Sequence, residues 1–126
     1  MKQMIETKKA PAAIGPYSQA IKINNTVYLS GQIPLDPTSM ILVEGDIVIQ
    51  IKQVLENLRE VAVASGGSLD HIVKLSVFLL DLSHLSFVNE MMTQYFKAPF
   101  PARTSIQVSA LPKNAAVEID AIMILA

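Results

Sequence analysis

The chain has no cysteine and no tryptophan, and aromatic residues make up only 6% of its 126 positions. Without cysteine there can be no disulfide, no thiolate nucleophile and no zinc–thiolate site. The same absence fits a reducing compartment, and a cytoplasmic protein is expected. Charge is scarce too: 17% of residues are charged, with 10 basic and 11 acidic side chains and a net charge of −1. The longest basic run is Lys8-Lys9, far from the clustered Lys and Arg of a nucleic-acid footprint, and no aromatic series offers a stacking platform for single strands. The two histidines, His71 and His84, do not have metal-binding spacing. No apolar run reaches the roughly 18 residues of a membrane span, and MKQMIETKK at the start has no apolar core of a secretory signal. Neither a G-x-S-x-G elbow, a P-loop nor a dinucleotide glycine fingerprint occurs. There is no internal repeat and no low-complexity linker, so residues 1–126 are read as one domain.

What the chain does have is apolar residues, 51% of the total. A domain this small leaves much of its surface in contact with solvent, so part of that surface is expected to be covered by other subunits. Residues 2–6 read as a short strand. AIKI and TVYLSG flank Asn24-Asn25 and read as a hairpin, because Asn tolerates left-handed turn geometry. Residues 46–65 have Ile47, Ile51, Val54, Leu55, Leu58, Val61 and Ala62 at helical spacing, with Asp46 to cap the start and Gly66-Gly67 to stop the end. HIVKLSVFLLD (71–81) reads as a central strand, and Ser83 is expected to cap a second helix running to about Phe96. ARTSIQVSA (102–110) and AAVEIDAIMIL (115–125) complete a ββ, α, β, α, ββ order. Two amphipathic helices and a mixed or mostly antiparallel sheet predict an α+β two-layer sandwich, with helices on one face and the other face needing a cover.

Strand alternation puts Arg103, Ser105 and Gln107 on one face of their strand and Ala102, Thr104 and Ile106 on the other, which we assign to the helix-packed core. On the last strand, Val117, Ile119, Ala121 and Met123 face the core, while Glu118 and Asp120 lie opposite with Ile122 and Ile124. Arg103 stands in FPARTS, between apolar neighbours, and a guanidinium does not lose its proton. Two partners are open to it. One is Glu118 or Asp120, across the sheet or a subunit boundary. The other is the carboxylate of a substrate, which the planar guanidinium fork matches with two parallel hydrogen bonds. Glu118 reads either as a surface carboxylate or as a general base that orients a water. Tyr17, in the stiff IGPYSQ loop, either packs or walls a pocket. Ser30 and Gly31 end a strand, where Gly permits a turn or the approach of a ligand to the backbone. Asn89 reads as a solvated helix residue, and Met91-Met92 as core or interface filler.

The segments APAAIGPYSQA, YLSGQIPLDP, VLENLREVAVASGGSLDHIVKLSVFLLDL, FPART and VEIDAI occur in an order that resembles the Rid (YjgF/L-PSP) family of reactive-intermediate deaminases, over nearly the whole chain. The resemblance implies a chorismate-mutase-like fold. It implies a homotrimer whose sheets line a central barrel, with sites in the clefts between subunits. It implies cofactor-independent hydrolysis of 2-enamine and 2-imine acids, such as 2-aminoacrylate and 2-iminopropanoate, to 2-oxo acids and ammonia. By that resemblance Arg103 clamps the substrate carboxylate and Glu118 activates the water. Tyr17 orients the pocket, while Ser30, Gly31, Asn89 and the backbone near Ser105 line it. Many relatives have cysteine where Ser105 stands, so a catalytic thiol is excluded here. Threonine is expected at Ile51 in many relatives, and FKAPFP is short for the family. Other readings are a 2-oxo-acid sensor without catalysis, an endoribonuclease or translation inhibitor, and a chaperone-like trimer. Glu118 is the residue that separates enzyme from sensor.

Overall fold

A computed structural model describes residues Met1–Ala126. Six strands form one sheet: β1 (Gln3–Ile5), β2 (Ala20–Ile23), β3 (Thr26–Gln32), β4 (Ile72–Leu79), β5 (Ala102–Gln107) and β6 (Val117–Ile124). Their order across the sheet is β1-β2-β3-β6-β4-β5. Every neighbouring pair is antiparallel except β4 and β5, which run parallel. Two helices, α1 (Ile47–Ala64) and α2 (Leu85–Tyr95), pack on one face. The α+β two-layer reading therefore holds.

Local sequence explains most of the boundaries. Asn24 takes φ 52 in the β2–β3 turn, the left-handed geometry that Asn tolerates. The Asp46 carboxylate accepts a hydrogen bond from the Ile49 amide at 3.0 Å and so caps α1. Gly66, at φ 98, ends it. The second helix begins differently from expectation. Asp81, not Ser83, supplies the cap, accepting from the Ser83 amide at 2.9 Å at the head of a single 3₁₀ turn over Leu82–His84, and α2 follows that turn. Its carboxylate is the stronger acceptor, and it is held below the usual range chiefly by its hydrogen bonds with Ser83.

The core is one cluster of 24 buried residues between sheet and helices, including Ile51, Leu55 and Leu58 of α1, Leu75, Val77 and Leu79 of β4, and Ile119 and Met123 of β6. Asn57 lies on the flank of this stripe and is buried. Its side-chain amide donates to the carbonyls of Ile33 and Leu35 at 3.3 and 3.0 Å, pinning the loop after β3 to α1. Tyr95 ties α2 to α1, donating to Glu56 at 2.6 Å beneath the Arg59 guanidinium. Burial first, and then this hydrogen bond, push the Tyr95 phenol up to about 12. The opposite face of the sheet has no element over it. It carries Tyr28, Phe78, Ile106, Ile122 and Ile124 around Lys74, Ser76 and Asp120.

Candidate active site

The face assignment for β5 is reversed. Parallel pairing sets Arg103 beside Leu75 and Ser105 beside Val77, and both partners are core residues under the helices. Arg103, Ser105 and Gln107 thus lie on the helix side. Ala102, Thr104 and Ile106 lie on the uncovered face, where Lys74 donates to Thr104 at 2.8 Å. Alternation separates two sets of residues without saying which set faces inward. Here the polar set sits where α2 overhangs an edge strand and leaves a cleft.

In that cleft the Arg103 guanidinium has no carboxylate partner. Its one hydrogen bond within the chain is to the Met92 thioether, Nη1 to Sδ at 3.2 Å, and none of the ion pairs involves it. It opens into a cavity of about 380 Å³ bounded by Asn89, Met92 and Thr93 of α2 and by Phe100 and Pro101. The internal ion pair is therefore not made within the protomer, and geometry explains why. Glu118 pairs with Phe78 on the uncovered face, while Arg103 pairs with Leu75 on the other. The two lie on opposite sides of the sheet, with β4 between their strands. Strand spacing and rise put them about 10 Å apart in each in-plane direction.

Glu118 belongs to a second cavity of about 550 Å³, which Tyr17, Ser30, Gly31, Gln32 and Lys113 also line. A β-bulge shapes it. Between Leu29 and Gln32 the register of β3 against β6 slips by one residue, so that Ser30 and Gly31 together oppose Asp120. Gly31 leaves clear the space that the Glu118 carboxylate occupies. A Cβ at that position would lie 2.9 Å from the Glu118 carboxyl carbon and closer still to Oε2. Glu118 is half-buried and makes no hydrogen bond or ion pair with its own chain. Burial, and secondarily the neighbouring Asp120, raise its pKa above the ordinary glutamate value. A proton-accepting carboxylate is more basic for that shift.

The loop carrying Tyr17 is held by Gln19, a buried residue that sequence reasoning passed over. Its amide donates to the carbonyls of Thr7, Ala10 and Pro11 at 3.0, 3.3 and 2.8 Å, and its oxygen accepts from the Thr7 amide at 2.7 Å. Ser30 is tied down in turn, its hydroxyl donating to the Ser18 carbonyl at 2.6 Å. The Tyr17 hydroxyl accepts from the Ile14 amide at 3.4 Å, and its ring is exposed at the cavity wall. Ser105 lines neither cavity, and its hydroxyl is buried with no partner. Met92 is core, as its spacing on α2 implies, and its buried side chain also borders the Arg103 cavity. No three His, Asp or Glu side chains converge as a metal site would need, and no helix is long and apolar enough to cross a membrane.

Fold and cavities together define an α+β sandwich with two separate pockets of small-molecule size, one offering an unpaired cation and the other a perturbed carboxylate. The chain belongs to the family described as Endoribonuclease L-PSP, which matches residues 7–125. Among curated relatives, the human 2-iminobutanoate/2-iminopropanoate deaminase is 47% identical over 98% of this chain and 90% of its own. Among solved structures, RidA from an Antarctic Psychrobacter superposes with TM-score 0.94 at 49% identity, covering 98% of this chain and 99% of that one. TdcF of E. coli, solved with bound serine, superposes with TM-score 0.91 at 37% identity, covering 98% and 99%.

Proposed function

We propose that the protein is a cofactor-independent hydrolytic deaminase that converts 2-enamine and 2-imine acids to 2-oxo acids and ammonia. Its relatives named as 2-iminobutanoate/2-iminopropanoate deaminases are 47–48% identical over almost the whole chain. The observation that carries the reading is the Arg103 guanidinium, charged, unpaired with any carboxylate and facing a cavity.

In this reading Arg103 grips the substrate carboxylate through two parallel hydrogen bonds. Glu118 holds a water and takes one of its protons as the oxygen attacks the imine carbon. A 2-enamine acid enters this step as its imine tautomer, formed by moving a proton from nitrogen to the terminal carbon. The proton held by Glu118 passes to the nitrogen to give the carbinolamine. The hydroxyl proton then moves by way of Glu118 to the nitrogen, the C–N bond breaks as the C=O bond forms, and ammonia leaves. The imine carbon is already electrophilic, so orientation supplies most of what the reaction needs. Because Arg103 and Glu118 lie on opposite faces of one sheet, we place each site between protomers. The Arg103 cavity of one subunit then faces the Glu118 cavity of the next in a homotrimer. The uncovered apolar sheet face supports such an assembly.

The test generates 2-aminoacrylate in situ with a dehydratase and follows its decay by absorbance. Faster decay with this protein, and decay at the uncatalysed rate with Arg103→Ala, is expected. Equal decay with and without the wild-type protein sinks the proposal. Tight pyruvate binding without turnover would instead favour the sensor reading.

A further inference from the structure

We propose that Met92 is a positioning residue for Arg103: its thioether holds the guanidinium in the orientation that receives a carboxylate while leaving its charge uncompensated. The inference rests on the reading of Arg103 as the carboxylate clamp and deepens it. Met92 is 6% exposed, packed between the core and the Arg103 cavity. Its place is fixed from both ends. Its carbonyl accepts from the Phe96 amide at 2.9 Å in the last turn of α2, and its Sδ receives Arg103 Nη1 at 3.2 Å.

The chemistry of the partner matters. A guanidinium has five N–H donors, and only one of them is used within this chain. A carboxylate in the place of Met92 would form a charge-assisted bidentate pair and compete with an incoming acid. A purely aliphatic side chain would leave the flexible arginine free to sample several rotamers, and ordering it would then oppose binding. A thioether is a neutral, weak acceptor. It sets the direction of one N–H bond and leaves the rest of the fork to the cavity. Met91, equally buried one position earlier, makes no such contact and serves as the internal control.

The experiment is calorimetric titration of the wild-type protein and four variants with pyruvate, beside steady-state deaminase assays and thermal melts. Met92→Leu keeps the volume and removes the acceptor, a class of core change that proteins tolerate. It should weaken pyruvate binding and raise KM about fivefold to tenfold, the worth of one orienting hydrogen bond, with kcat changed less than about twofold. Met92→Gln restores a neutral acceptor of similar reach and should recover most of that affinity. Met91→Leu should bind as wild type. If Met92→Leu binds pyruvate as wild type does while Arg103→Ala does not, the role of Met92 is overturned and the clamp stands. Should Arg103→Ala bind normally, the clamp itself fails and this inference with it. Parallel losses of kcat, affinity and melting temperature in Met92→Leu, without recovery in Met92→Gln, would reduce Met92 to packing and overturn the proposal.

Discussion

Glu118 titrates above an ordinary glutamate because folding removes it from water and sets Asp120 beside it. For an acid whose pKa is raised on folding, the unfolded chain releases its proton first, so stability falls as pH rises through the interval between the unfolded and folded values. Glu118→Gln removes that penalty. The variant should melt at a higher temperature than wild type at neutral pH, and the gap should close as pH drops below the ordinary glutamate range. Differential scanning calorimetry across pH checks this. Its turnover should fall by on the order of 10²-fold or more, the usual contribution of a positioned base, while pyruvate binding changes far less. The acid limb of the wild-type rate profile, lying above an ordinary glutamate's, should be absent in the variant. Gly31 offers a second test at the same spot. The atoms that a Cβ would strike belong to the end of the Glu118 side chain, which can swing aside, so Gly31→Ala should fold normally. A base displaced by about 1 Å costs roughly 10²-fold in rate. A Gly31→Ala protein with full activity would show that the carboxylate position is not critical. Arg103 and Glu118 were both legible as residue types in suitable settings. The role of Gly31 as clearance was not, because a bulge depends on the register of two strands distant in sequence.

At the scale of elements, the helices and strands were readable because apolar periodicity, caps and turn residues agree. Asp46, Gly66 and Asn24 each act where their local chemistry implies. The face of β5 was not readable. A parallel edge strand with alternating polar and apolar residues is consistent with either orientation, and the choice is made by pairing with Leu75 and Val77. Asn57 illustrates the same limit. On a helical projection it borders the apolar stripe and passes for the polar side, yet a loop closes over it and uses both its donors. Asn57→Ala leaves the Ile33 and Leu35 carbonyls without these donors and should destabilise the fold by about 1–3 kcal/mol, measured by urea unfolding. Because Ile33 and Leu35 also line the Glu118 cavity, activity should be lost at lower temperature than global unfolding. A midpoint unchanged from wild type would mean that the loop is held by other contacts.

At the scale of the whole molecule, one sheet separates the two groups that a single substrate would need in the proposed reaction, with Arg103 on its helix side and Glu118 on its uncovered face. A shared site therefore requires two protomers, and this can be tested without any structure of the assembly. Arg103→Ala and Glu118→Gln should each form the same oligomer as wild type by light scattering, and each should be nearly inactive. Co-expressed in equal amounts, they mix at random in a ring of like interfaces. Half of the cation-donating faces then keep Arg103 and half of the carboxylate-donating faces keep Glu118, so about a quarter of the wild-type activity should return. Sites built within one protomer would gain nothing from mixing, since every chain lacks one of the two groups. Recovery that grows as the subunits exchange would locate the chemistry at the boundary between them. A mixture as inactive as its parents, with mixed oligomers shown by mass spectrometry, would place both groups' work inside a single chain and contradict the sheet geometry on which the proposal stands.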